Sequence, residues 1–268
     1  MKKLIAYFIV ATVVFIGCQD SENASSQETA PASAIQAPTI GTYNIVQIYP
    51  HNTSSFTQGL IWFNNTLYEG TGLPNQSKLF KTDLATGKAL QTVSLADSLF
   101  GEGITIYNNK IYQLTWQNHK VFVYDVNTFK KEKEFNWTYE GWGITHFKNQ
   151  LIISTGSSNL YFVNPTTLAI EKTLGVYDNN GYIASLNELE MMDGKIYANV
   201  WGDNKIIVIN PASGQVEKQF DFTDILQKSS QPITTETNVL NGIAYDSVQK
   251  VAYITGKNWP AIFKVTLQ

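Results

Sequence analysis

Residues 100–116 read FGEGITIYNNKIYQLTW: a lone acid, Glu102, between two glycines, a short apolar run, a turn at Asn108 and Asn109, a second apolar run and a tryptophan. Short runs rich in β-branched and aromatic residues on either side of an Asn pair form a β-hairpin. Glycines beside a carboxylate let the backbone take φ values closed to other residues, which would leave the acid unshielded towards a cavity. The layout then recurs four more times. Gln58 in FTQGL stands as far ahead of Gly72 as Glu102 does of Trp116, and Trp142 precedes Gly156, and Asn187 precedes Trp201, by that same interval. The fifth copy runs from Asn241 to Gly256 with one extra residue in its hairpin. Successive copies start 44, 40, 45 and 54 residues apart, and the long last interval holds the polar insertion 228–237.

Each copy continues with further short apolar runs, such as KVFVYD at 120–125, NLYFV at 159–163 and KIIVI at 205–209. Turns of the form Asn164-Pro165 and Asn210-Pro211 close the next hairpin, because Asx accepts backbone bonds and Pro presets φ. Four short antiparallel strands in a repeat of about 45 residues make a propeller blade. Five repeats therefore predict an all-β, five-bladed β-propeller over 41–268. The fifth copy has room for only three strands, so the segment 43–49 should supply the missing outer one and leave no open edge at the seam.

Upstream, Lys2 and Lys3 precede the apolar run 4–16, and Gly17 and Cys18 follow it. This is a signal peptide over 1–17, too short for a permanent span. Its end, VFIGC, resembles the lipobox of bacterial lipoproteins, in which the Cys becomes the lipidated mature N-terminus; an ordinary signal with an incidental Cys is the alternative. Residues 18–40, rich in Ser, Ala, Gln, Glu and Pro, read as a disordered tether. The expected location is the bacterial cell envelope, with the membrane reached only through the lipid on Cys18. As the single cysteine, Cys18 rules out a disulfide framework and leaves no thiol in the folded body. A net charge of −3 provides no basic stripe, which argues against nucleic acid as a partner.

In a propeller the inner strands converge on the axis, so equivalent residues form rings. One ring is Gln58, Glu102, Trp142, Asn187 and Asn241; a second is Gly72, Trp116, Gly156, Trp201 and Gly256, followed by Lys257. A ring needed only for packing would repeat one residue type, and this one does not. Alternating Trp and Gly should leave an aromatic-walled pocket. For any single residue packing is the commoner role; one acid, one lysine, amides and three tryptophans together outweigh it. Trp62, Trp137 and Trp259 fall off the rings and should pack, and Glu69, Glu188 and Glu190 should serve structure. His51, His119 and His146 have no metal-ligand spacing. Nucleophile elbow, phosphate loop and paired ring carboxylates are all missing, so any chemistry would run on one acid–base group.

The segments FTQGL, YEGTG, FGEGIT, QLTW, EGWGIT, LNELE, YANVW, NVLNGIAYD and TGKNWP, in this order from about Tyr43 to the C-terminus, closely resemble the plant and bacterial type glutaminyl cyclases. One departure is Thr155, where that family commonly has Asp. The resemblance implies conversion of an N-terminal glutamine of a peptide or protein to pyroglutamate with release of ammonia, without a catalytic metal or other cofactor. Carried over, it makes Glu102 the general acid/base and has Phe56, Gln58, Trp116, Trp142, Asn187, Trp201 and Lys257 shape the substrate site. Asn241 joins the substrate-binding set through its ring position.

The residues agree with that reading. The substrate's own α-amine attacks its own γ-carboxamide, so the enzyme has to select a near-attack shape, move a proton and hold the oxyanion. Glu102 would carry the proton, and Lys257 with the amides of Gln58 and Asn187 would face the carbonyl oxygen. The expected protein acts as a monomer on peptides or proteins beginning with glutamine. The competing class is a non-catalytic propeller lipoprotein that binds peptide or glycan at the same mouth.

Overall fold

The computed structural model describes residues 35–268; the signal 1–17, Cys18 and the tether as far as residue 34 lie outside the described residues. Strands β1 (Thr39–Gly41) and β2 (Tyr43–Pro50) precede the first repeat. Blade one comprises β3 (Thr57–Phe63), β4 (Thr66–Thr71), β5 (Lys78–Asp83) and β6 (Lys88–Ser94). Blade two comprises β7 (Gly101–Tyr107), β8 (Lys110–Thr115), β9 (Lys120–Asp125) and β10 (Lys131–Asn136). Blade three comprises β11 (Ile144–Phe147), β12 (Gln150–Ser154), β13 (Asn159–Val163) and β14 (Ile170–Gly175). A small hairpin, β15 (Tyr177–Asp178) and β16 (Gly181–Tyr182), leads into blade four: β17 (Leu186–Met192), β18 (Lys195–Val200), β19 (Lys205–Ile209) and β20 (Val216–Asp221). Blade five holds β21 (Leu240–Asp246), β22 (Val251–Gly256) and β23 (Ala261–Leu267).

The innermost strands β3, β7, β11, β17 and β21 touch in that order, and β21 returns to β3, closing the ring. The seam is closed as the repeat predicts. Strand β2 lies antiparallel on β23, from Tyr43 opposite Leu267 to Pro50 opposite Ala261. Just beyond it, buried His51 ties the seam to blade one, with Nδ1 at 2.7 Å from the Trp259 carbonyl and Nε2 at 3.0 Å from Glu69, which also accepts from the Thr57 hydroxyl at 2.7 Å. The fold begins earlier than position 41, because β1 adds in parallel to the outer edge of blade four, with Thr39 opposite Lys218. Residues 39 and 40 thus belong to the propeller rather than to the tether. They cover backbone groups that an edge strand would otherwise leave open.

Five apolar clusters fill the five gaps between neighbouring blades. Between blades one and two, for example, Ile61, Tyr68 and Leu79 meet Ile104, Ile106, Ile111 and Phe122. Alternation along each strand sends one face to each neighbouring gap, which explains why the inner and middle strands read as apolar runs. The tight hairpins use positive φ at both central residues, Asn64 and Asn65 in blade one and Asn108 and Asn109 in blade two, as the strand twist requires.

The glycines flanking Glu102 serve a different purpose from the one their freedom suggested, because neither has a positive φ. A Cβ on Gly103 would fall 2.7 Å from the Trp142 carbonyl oxygen, and one on Gly101 would fall 2.6 Å from that of Thr71. Inner strands of a five-bladed ring crowd at the axis, and only glycine lets one backbone rest on the next. The position after the ring residue is Gly59, Gly103, Gly143 and Gly242 in four blades and Glu188 in the other. Glu188 is fully buried, and its carboxylate accepts from the Leu60 N–H of blade one at 3.4 Å and the Ile243 N–H of blade five at 3.0 Å. One side chain from blade four therefore bridges the axis to its two partners.

Candidate active site

A β-bulge interrupts the pairing of the inner strand in four blades, between Thr57 and Gly59, Gly101 and Ile104, Leu186 and Leu189, and Leu240 and Ile243. Bulges re-aim side chains, and here each falls on a ring residue. At the end of the axis where these bulges lie is a cavity of about 490 Å³, lined by Phe56, Gln58, Phe100, Glu102, Trp116, Trp142, Asn187, Trp201 and Lys257. All five blades contribute. Gln58, Glu102, Asn187 and Lys257 are buried, while Trp201 stands half out of the protein at 52% exposure.

The walls are aromatic. Phe56 meets Phe100 edge to face at 6.2 Å between centroids, Phe100 meets Trp116 at 5.5 Å, and Trp142 meets Trp201 at 6.3 Å. The glycines of the second ring turn out to be seats rather than open space. A Cβ on Gly72 would collide with the Phe100 ring at 2.4 Å and one on Gly156 with the Trp142 ring at 2.6 Å. Gly256 has the same relation to Trp259, at 2.3 Å.

Burial pushes the Glu102 carboxyl well above the usual carboxylate range; Lys257 pulls against this and Glu140 adds to it. Burial likewise brings Lys257 down to about 8, with Glu102 opposing. The Lys257 ammonium lies 4.8 Å from the centre of the Phe56 ring, a cation–π contact that keeps it at the wall. Asn187 lines the cavity, and its buried Oδ1 has no protein partner. Gln58 Oε1 accepts from Asn241 at 3.4 Å, which commits that oxygen and leaves the amide nitrogen as the donor end.

Eight of the nine residues expected at the site line the cavity. Asn241 does not: it is fully buried, and its Nδ2 donates to the Thr57 carbonyl at 3.0 Å and to Gln58 Oε1 at 3.4 Å. Its part is to hold Gln58 rather than to meet a ligand, because the blade-five wall is provided by Lys257 one strand later. Two groups were missed. Phe100 lines the wall, and Glu140 stands behind it, accepting from the indole N–H of Trp116 at 2.7 Å and of Trp142 at 3.0 Å. Both lie two positions ahead of a ring residue, in the column Phe56, Phe100, Glu140, and reading that column would have found them.

The remaining expectations about packing hold. Trp137 and Trp259 are buried in the blades, and Trp62 stacks on Tyr253 at 4.7 Å. Glu190 is buried and accepts from the Tyr245 N–H at 3.1 Å, so it serves structure as Glu188 and Glu69 do. The Thr155 hydroxyl meets that of Ser157 at 3.0 Å, and Thr155 is not part of the cavity lining. His119 and His146 bond separately, to the Tyr139 carbonyl and to Thr105.

Fold and site together define a class: a five-bladed propeller with a single acid, one lysine and amides at the floor of an aromatic axial cavity. The glutamine cyclotransferase family model matches residues 13–267. A glutaminyl-peptide cyclotransferase of Arabidopsis thaliana is 34% identical over 231 residues, which is 85% of this chain and 72% of the relative. The crystal structure of a glutaminyl cyclase from Myxococcus xanthus superposes with a TM-score of 0.80 at 31% identity, over 86% of this chain and 98% of the other. The chain belongs to the glutamine cyclotransferase family, and its enzymatic class is glutaminyl-peptide cyclotransferase.

Proposed function

We propose that the cavity cyclises N-terminal glutamine by proton transfer through Glu102 alone, with no metal. The observation that carries this is the setting of Glu102: a buried carboxyl, raised above its usual range, on the floor of a cavity whose other polar groups are Lys257, Gln58 and Asn187. In the reaction the substrate's α-amine nitrogen attacks the γ-carboxamide carbon. A C–N bond forms within the substrate, the bond to the amide nitrogen breaks, and ammonia leaves. Glu102 takes the proton from the attacking amine and gives it to the departing nitrogen, so it ends as it began. Carrying one proton both ways needs a pKa between the ordinary carboxylate value and neutrality, and burial supplies the upward direction.

Lys257 and the Gln58 amide stabilise the oxyanion as charge develops. The aromatic walls exclude water and press the flexible glutamine side chain into its near-attack shape. Among the described residues no group of three or more His, Cys, Asp and Glu is arranged to hold a metal ion. The enzyme acts as a monomer, a reading supported by a cavity drawn from all five blades of one chain. Lipidated at Cys18, it works in the bacterial cell envelope; among the described residues no helix is long and apolar enough to cross a membrane.

Ammonia release from a glutamine-initiated dipeptide, with EDTA present, tests this. Wild type should turn over and Glu102→Gln should lose at least about a hundredfold in kcat while still binding substrate. Near wild-type turnover by a folded Glu102→Gln protein would remove Glu102 from its role. Loss of wild-type activity on chelation would remove metal independence. A folded wild type that binds the dipeptide and releases no ammonia would favour the binding-module reading.

A further inference from the structure

The aromatic lining is two arcs rather than one. Phe56, Phe100 and Trp116 form the first through edge-to-face contacts, and Trp142 with Trp201 forms the second. What spans the break is Glu140, whose single oxygen Oε2 accepts from the indole nitrogens of both Trp116 and Trp142, at 2.7 and 3.0 Å. Its other oxygen accepts from Gln117 at 3.1 Å. The Glu140 backbone is itself anchored, since the Trp137 indole donates to its carbonyl at 3.2 Å and the next residue, Gly141, donates to the Thr115 carbonyl at 3.2 Å. Bonds from two indoles to one carboxylate oxygen are directional and charge-assisted. They set the distance and the tilt between two rings that do not otherwise meet.

We propose that Glu140 is a positioning residue for the cyclisation, fixing the gap between the Trp116 and Trp142 walls in which the glutamine side chain is held. Burial of Glu140 opposes its ionisation, but the three side-chain donors outweigh it and bring the carboxyl below its usual range. His119 adds to that effect. The charged groups acting on Glu102 are Lys257, which favours its ionised form, and Glu140, which disfavours it. Glu140 therefore works through two neighbours: geometry through the tryptophans and proton affinity through Glu102.

The inference rests on the cyclisation reading, and two substitutions separate its parts. Glu140→Gln keeps an amide oxygen able to accept both indoles and removes the charge; Glu140→Ala removes both. With a glutamine-initiated dipeptide, Glu140→Ala should raise KM at least about tenfold, as expected when a substrate is no longer held in its near-attack shape. Its tryptophan emission should shift as two indoles lose their acceptor. Glu140→Gln should bring KM back to within about threefold of wild type, the near-attack hold being kept. Its kcat/KM should rise at lower pH than wild type, because Glu102 has lost a like charge; the substrate's amine titrates identically in both. Glu140→Ala with wild-type KM and emission overturns the proposal, as does Glu140→Gln with an unmoved acidic limb. Should the Ala protein not fold, Glu140→Leu, which also lacks the acceptor but keeps similar bulk, is read by the same KM and emission. Emission and dipeptide affinity need no turnover, so failure of the Glu102 assignment would leave the wall-spacing result readable by itself.

Discussion

Lys257 and Glu102 govern each other's protonation across the cavity: the ammonium, held 4.8 Å over the Phe56 ring, opposes the burial that drives the Glu102 carboxyl upward, and Glu102 opposes the burial that brings Lys257 to about 8. Burial thus raises the one and lowers the other, and each tempers the shift of its partner.

The first consequence is a pH profile. Lys257 loses its charge as pH rises through about 8, so kcat should fall on that alkaline side if the cation stabilises the oxyanion. Lys257→Met should lower kcat about a hundredfold, the scale of one lost oxyanion donor, and should erase the alkaline limb. Steady-state rates between pH 5 and 10 decide it. A raised KM with kcat intact would make Lys257 a binding residue instead.

Glu190 makes stability pH-dependent. Burial raises its carboxyl from 4.5 to about 8 in the folded protein, against the backbone donors around it. Between those values the unfolded chain gives up a proton that the folded one keeps, so the stabilisation is complete below about 4.5 and is lost as pH rises through about 8. Glu190→Gln should flatten the dependence of melting temperature on pH across that window and melt above wild type at its upper end. Thermal unfolding at several pH values, compared between the two proteins, would show it.

Gly103→Ala tests why glycine stands beside the acid. The added methyl would sit 2.7 Å from the Trp142 carbonyl oxygen and 2.8 Å from the Gly143 Cα, both backbone atoms that cannot swing aside. Overpacking of this kind costs about 1–3 kcal/mol, and the shift of β7 would carry Glu102 with it. Denaturant unfolding should report that loss and kcat should fall. A substitution neutral in both would mean that the axis is looser than its contacts indicate.

Removing the closure strand tests the seam. A chain beginning at Ile35 should melt as the longer chain does, whereas one beginning at His51 lacks β2 and leaves β23 as an open edge. Exposed edges pair with other chains, so this protein should elute from size-exclusion columns as dimers or larger species. A monomeric, fully active truncation would show that blade five stands without its fourth strand.

The blade count and the seam were legible because a repeat makes every turn and apolar run visible five times. Six cavity residues, Gln58, Glu102, Trp116, Trp142, Asn187 and Trp201, were legible because ring equivalence converts spacing along the chain into a position at the axis; Lys257 follows a ring position, and Phe56 came from the family resemblance. Asn241 defeated that rule: equivalence fixes depth along the strand but not whether the side chain reaches the cavity, and this one is spent on Thr57 and Gln58. Phe100 and Glu140 come from the approach to the inner strand, where the repeat is least regular. The column two positions ahead of the rings marks the place of Glu140, but which indoles reach its carboxylate is visible only in three dimensions. The strand β1 was hidden because three residues, Thr-Ile-Gly, carry too little pattern to stand out from a polar stretch.

Sealing the ring with β2 on β23 also dictates the order in which its parts can form. Phe56 and Lys257, near opposite ends of the chain, meet at one wall, and β2 has no partner until the final residues arrive. Pairings of such long sequence separation form late and slowly. A chain without β23 would leave β2 unpaired, and one without Lys257 would lack the cation at the Phe56 wall, so the cavity is a product of the closed ring and not of any blade by itself.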